Sequence, residues 1–172
     1  MSREGHAAFD GALPTRAAEF GDWVRPNWDA MHRLARRLCG ADNGDDVVQE
    51  ALSAAWRKRD QFNADRGTAK AWLLAIVADQ AYKHHRRQRP TVELVIDVAD
   101  GSAPAGWPPG IDLSVAIRKL SRRQQLAVTL HYYLGMPVNE TAEVMACSPG
   151  TVKSTLSDAR LRLRTLLGDD YR

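Results

Sequence analysis

VNETAEVMACSPGTVKSTLSDARLRLRTLL, residues 138–167, is the stretch on which the fold class of this chain turns. Val138, Ala142 and Met145 recur at helical spacing and then stop at a tight break around Cys147-Ser148. A second, longer period follows, in which Val152, Leu156, Ala159 and Leu163 share one face. Ser148 is a natural N-cap, and Pro149 fits the first helical position, where its missing N–H costs nothing. A short helix, a tight turn and a longer helix predict a helix-turn-helix. With the apolar face turned inward, Thr151, Lys153, Ser154, Thr155, Ser157 and Asp158 lie toward the exposed front of the second helix. Such a surface can enter a major groove, its hydroxyls and helix N-terminus meeting phosphate and base edges. The competing reading is a plain bundle whose last helix is merely amphipathic.

Working back along the chain, Leu113, Ile117 and Leu120, then Leu126, Leu130, Tyr133 and Leu134, extend the helical pattern, so residues 113–168 read as one small helical domain. Residues 91–112 carry Gly101, Pro104, Gly106, Pro108, Pro109 and Gly110 without a period and read as a flexible linker. Its apolar patch Leu94-Val95-Ile96 has no partner strand and is not expected to form one. Before it, residues 23–90 are helical again. Met31, Leu34, Ala35 and Leu38 form one stripe, which Gly40 stops. A turn is expected at 41–44, with Asp45 or Asp46 capping a helix that carries Val47, Val48, Ala51, Leu52, Ala55 and Trp56. After a break from Asp60 to Gly67, Thr68 caps a helix from Ala69 to Gln88, with Trp72, Leu73, Ile76, Val77 and Ala81 on its apolar face. Pro90 disfavours helical geometry at Arg89 and ends it. Residues 1–22, small, polar and interrupted by Gly5, Gly11, Pro14 and Gly21, are expected to be a flexible start. The prediction is an all-α protein: two small helical domains joined by an acidic linker.

Charge supports a polyanionic partner. The 172 residues contain 24 Lys plus Arg against 21 Asp plus Glu, a formal charge of +3. The charges are segregated. Between Arg57 and Arg89 nine basic residues face three acids, and the segment ends in Lys83-His84-His85-Arg86-Arg87-Gln88-Arg89. The linker has no Lys or Arg but holds Glu93, Asp97, Asp100 and Asp112, after which basicity returns. A basic, acidic, basic order is suited to nucleic acid on both sides of a tether. The longest apolar run, Ala71 to Ala78, is too short to span a bilayer, and no apolar signal core precedes it, so the expected location is the cytoplasm without a membrane partner. Cys39 and Cys147 belong to no metal-binding pattern, and the adjacent His84 and His85 point about 100° apart on a helix. No metal, cofactor or catalytic motif is expected, and the chain reads as a non-enzyme.

At this point the residues resemble a known family. Ser148-Pro149-Gly150-Thr151-Val152-Lys153-Ser154, followed by Ala159-Arg160-Leu161-Arg162, is similar to the helix with which bacterial sigma-70 factors read promoter −35 elements. Asp45-Asp46-Val47-Val48-Gln49-Glu50, with Ala55-Trp56-Arg57 and Ala71-Trp72-Leu73 beyond it, resembles their core-binding and −10 reading domain. Two such domains with nothing between but a linker is the layout of the extracytoplasmic function, or group 4, sigma factors.

The resemblance implies a transcription initiation factor that binds core RNA polymerase at the clamp and flap regions of its large subunits, recognises −35 and −10 elements, and promotes promoter opening. It assigns core binding to Asp46, Gln49 and Glu50. Asn63, Asp65 and Arg66 fall in the loop that captures a flipped −10 base, and Asp79, Tyr82, Lys83, Arg86, Arg87 and Arg89 on the helix that tracks the nontemplate strand. The −35 contacts fall to Ser148, Thr151, Lys153, Ser154, Thr155, Ser157 and Arg160. The acidic linker suits the positively lined path of nascent RNA, and the polymerase-binding helix is a surface that an anti-sigma factor can cover. Asp79 stands where the family usually has Asn, and Ala69 where an aromatic is frequent. Thr155, Ser157 and Asp158 stand where relatives often carry Arg or His, which implies weaker and altered −35 binding. The alternative function is a stand-alone helix-turn-helix regulator that binds duplex DNA without polymerase.

Overall fold

The computed structural model describes residues 16–87 and 113–167, and all regular structure among them is helical. The chain runs through α1 (Ala17–Val24), α2 (Trp28–Cys39), α3 (Ala41–Lys58) and α4 (Ala69–Arg87). After the interval come α5 (Leu113–Arg118), α6 (Arg122–Val128), α7 (Val138–Val144) and α8 (Pro149–Leu167). The expected linker at 91–112, with its Leu94-Val95-Ile96 patch, lies outside the described residues, as do residues 1–15.

Helices α2, α3 and α4 pack on one another around Met31, Leu34, Val47, Val48, Leu73, Leu74 and Val77, all inaccessible to solvent. Burying a side chain of this size stabilises the fold by about 1.5–3 kcal/mol. The flexible start expected for residues 1–22 is corrected from Ala17 onward, where α1 forms and covers one end of this bundle. Phe20, Trp23 and Val24 fall at i, i+3 and i+4 and are buried. The Phe20 ring meets Trp56 at 5.3 Å, and Trp23 meets Phe62 at 5.4 Å and Trp72 at 5.8 Å, all edge-on. Three large side chains entering a core outweigh the roughly 1 kcal/mol that Gly21 costs in a helix.

The second correction concerns residues 41–44. Gly40, at φ 81 and ψ 167, ends α2 and begins α3 by itself, so no turn follows it. Only glycine reaches that conformation without penalty, and one residue therefore suffices for the reversal. Gly44 is consequently inside α3, buried against α2, where a Cβ would come within 2.6 Å of Arg36 Cγ. Asp45 is moved from a cap to the helix surface, where its carboxylate lies 3.3 Å from both Arg36 Nη2 and His32 Nδ1. The cap expected at Thr68 is present: its hydroxyl accepts from the Ala71 N–H at 3.1 Å.

In the second half, Ser121 caps α6 in a reciprocal box with Gln124. The buried Gln125 amide donates to the Arg118 and Leu120 carbonyls and closes the end of α5. α6 continues through a wide π turn over Thr129–Tyr133. α7, a tight turn and α8 form the expected helix-turn-helix around Ala127, Ala142, Val152 and Leu156. The turn ends α7 with the Cys147 N–H bonded to the Ala142 carbonyl and the Ala146 N–H to that of Glu143, which places Ala146 at φ 48. The two halves are not separate bodies: Leu130, Leu134, Met136 and Val144 join the core cluster of the first half, with α7 lying on α4.

Candidate nucleic-acid interface

The expected polymerase-binding face lies on α3. Asp46 and Gln49 are exposed there, while Val47, Val48 and Ala51 of the same turns are fully buried. This one-sided burial follows from the 3.6-residue period. Glu50 is placed differently from its neighbours. Its carboxylate accepts two hydrogen bonds from Arg87 Nη1, at 3.0 and 3.3 Å, so a residue assigned to the polymerase and one assigned to DNA are joined across α3 and α4.

The loop between α3 and α4 and the first turns of α4 line an open cavity of about 250 Å³. Asn63, Arg66 and Thr68 supply polar groups to it, and Phe62, Ala71 and Trp72 apolar walls. Asn63 Oδ1 accepts from the Asp65 N–H at 2.8 Å, a local turn that leaves the amide donor of Asn63 and the guanidinium of Arg66 available. Asp65 is exposed but is not part of the lining. Aromatic walls with a few polar donors suit a planar heterocycle that stacks and presents hydrogen-bonding edges.

Along α4, Asp79 forms an ion pair with Lys83 at 2.7 Å, an i,i+4 contact that joins two of the residues expected on the nontemplate strand. Arg86 is exposed, and Arg89 lies outside the described residues. Tyr82 is 55% exposed, with the Arg122 guanidinium over its ring at 5.5 Å. His85 departs from the basic face expected of it. Its Nε2–H donates to the Leu38 carbonyl at 2.7 Å, capping the end of α2, with Cys39 Sγ 3.7 Å away. Burial, partly opposed by that hydrogen bond, holds the His85 pKa below its ordinary value. Burial likewise pushes the Cys39 thiol up to about 12, against the lowering field of Arg122.

On α8, the Ser148 hydroxyl accepts from the Thr151 N–H at 3.1 Å and lies 2.9 Å from the Thr151 hydroxyl, so it acts as the N-cap. Lys153, Ser154, Ser157 and Arg160 are exposed on one surface, and Thr151 is half-buried beside them. Thr155 is a correction: it is 9% exposed, and its hydroxyl donates to the Thr151 carbonyl at 2.8 Å. Position 155 follows 152 by three residues and precedes 159 by four, so it belongs to the buried stripe. The outer surface of α8 therefore owes its positive charge to Lys153, Arg160, Arg162 and Arg164, all exposed.

The walls of the cavity carry no periodic signal in the sequence. Trp72, on the apolar stripe of α4, packs against the core and is half-buried, facing both the aromatic cluster and the cavity. Phe62 and Gly67 had no periodicity to mark them, and Glu143 reaches the cavity from the other half of the chain.

Comparison with known proteins agrees with this layout. The chain matches the Sigma-70 region 2 family over residues 23–91 and the Sigma-70, region 4 family over residues 111–163. The ECF RNA polymerase sigma factor SigM of Mycobacterium tuberculosis is 32% identical over 154 residues, covering 87% of this chain and 77% of the relative. Among solved structures, CnrH in complex with the cytosolic domain of CnrY is similar at 26% identity and a TM-score of 0.68, covering 91% of this chain and 92% of that one. The sigma factor RpoE in complex with the anti-sigma factor NepR, from Bartonella quintana, matches at 27% identity and a TM-score of 0.67, over 88% of this chain and 98% of that one. Taken with the helix-turn-helix at one end and the acidic helix and cavity at the other, these likenesses place the chain in the extracytoplasmic function branch of the sigma-70 family of RNA polymerase sigma factors.

Proposed function

We propose that this chain initiates transcription by bringing core RNA polymerase to promoters through a division of labour along its length. Asp46, Gln49 and Glu50 on α3 meet a basic surface of the polymerase clamp, and the second half meets the flap. The cavity bounded by Asn63, Arg66 and Trp72 takes a flipped −10 base, and Arg86, Arg87 and Arg89 follow the nontemplate phosphates. Lys153, Ser154, Ser157 and Arg160 of α8 meet the −35 duplex, with Thr151 and Ser148 at its N-terminus near phosphate. Thr155 has no direct part in that contact. The chemistry of RNA synthesis belongs to the polymerase, and the chain's own contribution is recognition in the cytoplasm, where its polymerase and DNA are found. No described helix is long and apolar enough to cross a membrane. An anti-sigma factor covering α3 fits the same surface.

The observation that carries this reading is the coexistence of an exposed acidic α3 face with an aromatic, donor-lined cavity and a helix-turn-helix in one chain. A duplex-binding regulator needs only the last of these. The test is run-off transcription by core RNA polymerase on a promoter library, with and without the chain. Start sites that depend on the chain and share two spaced elements support the reading. Core-independent binding to a palindromic duplex, with no start sites, would replace it with the stand-alone regulator.

A further inference from the structure

Helix α8 packs on α5, α6 and α7, with Val152, Leu156 and Ala159 buried along its inner side. At about 100° per residue, the side turned away from these three carries Ser154, Ser157, Asp158 and Leu161, all exposed. The cations Lys153, Arg160 and Arg164 flank this outward stripe on one side. Asp158 alone puts a negative charge on it, and no other acid occurs between Pro149 and Leu167. It stands one turn beyond Ser154 on the same surface, and among the described residues its carboxylate has no hydrogen bond or ion pair. Asp79 on α4 is the contrast. There a cation four positions on takes the acid at 2.7 Å, whereas Arg162, at the same separation from Asp158, does not.

A carboxylate with no partner of its own, turned toward a polyanion, is repelled by the phosphates and weakens binding to every sequence that does not compensate it. On the base edges of the major groove the direct compensation is an amino group, from cytosine N4 or adenine N6. Adenine sets its N7 acceptor beside the amino group, an edge that suits the paired donor and acceptor of an amide and not two carboxylate oxygens. Guanine and thymine offer acceptors at O6, N7 and O4. Cytosine presents the amino donor by itself. We propose that Asp158 selects cytosine at one position of the −35 element, accepting from its N4 amino group and rejecting the other three bases, an inference that rests on the reading of α8 as the −35 helix. Asp158 is thereby a specificity determinant, and affinity is left to the flanking cations, which hold phosphates whatever the sequence. Its neighbours on the stripe are more tolerant. The Ser154 hydroxyl donates to the Thr151 carbonyl at 3.0 Å, and a serine hydroxyl suits donor and acceptor edges alike.

The test uses core RNA polymerase assembled with the full chain and a promoter library randomised across the −35 element, with transcripts counted by the base at each position. The natural chain is expected to favour cytosine at one −35 position by about 5- to 150-fold over each other base, the usual cost of one mismatched pair. Asp158→Ala should abolish that preference and leave the other −35 positions and the −10 element as they are. Asp158→Asn, which keeps the shape and gains a donor, should move the preference at that position from cytosine to adenine. Because Asp158 is exposed, both variants keep the core of the helix-turn-helix. Unchanged base preferences in Asp158→Ala, or a gain spread evenly over the library, overturn the inference. Lys153→Ala combined with Ser154→Ala reports separately on α8. Weaker use of the −35 element in that variant, with Asp158→Ala without effect, keeps α8 as the −35 helix and removes only the role of Asp158. Undiminished use of the element in both refutes the reading of α8 and the inference with it.

Discussion

Replacing Arg87 with alanine should act in opposite directions on the two steps assigned to the residues it joins. In the free chain Arg87 Nη1 holds Glu50 at 3.0 Å, with side chains 64% and 41% exposed. An exposed pair of this kind contributes about 0.2–1 kcal/mol, so Arg87→Ala should lower folding stability by less than about 1 kcal/mol. The carboxylate of Glu50 is then released from an internal partner and becomes available to the polymerase. If breaking the pair is part of the cost of docking, removing it should leave core affinity unchanged or improve it by up to about fivefold, since 1.4 kcal/mol corresponds to tenfold. Promoter opening should move the other way. Loss of one phosphate contact to a single strand should reduce the slope of log affinity against log salt by about 0.7. The assay is fluorescence titration of core polymerase with the labelled chain, followed by salt-dependent open-complex formation on one mapped promoter. A fall in core affinity beyond about threefold, on the scale that pair strength sets, would show that Arg87 itself meets the polymerase, and an unchanged salt slope would show that it does not meet the strand.

Other outcomes follow from single sites. Ala146 sits at φ 48 in the turn between α7 and α8. Ala146→Gly should therefore raise stability by about 0–1 kcal/mol, the relief of left-handed strain less the added freedom of the unfolded chain, read from urea midpoints at constant slope. His85, facing Cys39, His84 and Arg122, has its pKa held down by burial, so the unfolded chain binds its proton more readily than the folded one. Stability from this site is then complete above the ordinary histidine value near 6.5 and declines as pH falls below it, and His85→Gln should flatten that part of the stability profile. Cys39, buried with its thiol pushed up to about 12, should resist iodoacetamide at pH 8 while the half-buried Cys147 reacts, and peptide mapping of the native and unfolded chain distinguishes the two.

Much of this was legible in the chain because the physics is local. Thr68 and Ser148 cap helices with their own hydroxyls three residues ahead, and Met31, Leu34 and Ala35 are buried as their spacing requires. What failed was also local in appearance but decided at a distance. Gly21 reads as a breaker, yet Phe20 and Trp23 gain ring contacts with Trp56, Phe62 and Trp72 that no window around Gly21 contains. Thr155 reads as an exposed polar residue, and the helix phase set by Val152 and Ala159 buries it. Asp79 reads as a lone acid on a basic helix, and the Lys83 ammonium one turn on pairs with it.

The sequence by itself determined most of the helices, the caps at Thr68 and Ser148, the helix-turn-helix and the family, since each depends on side-chain identity at short, regular separations. Only the tertiary structure decided that Glu50 is held by Arg87, that His85 caps α2, and that Glu143 stands at the cavity formed around Gly67 and Trp72. Those pairings join residues distant along the chain, and their geometry is set by how apolar faces from both halves share one core, a balance that no periodicity encodes.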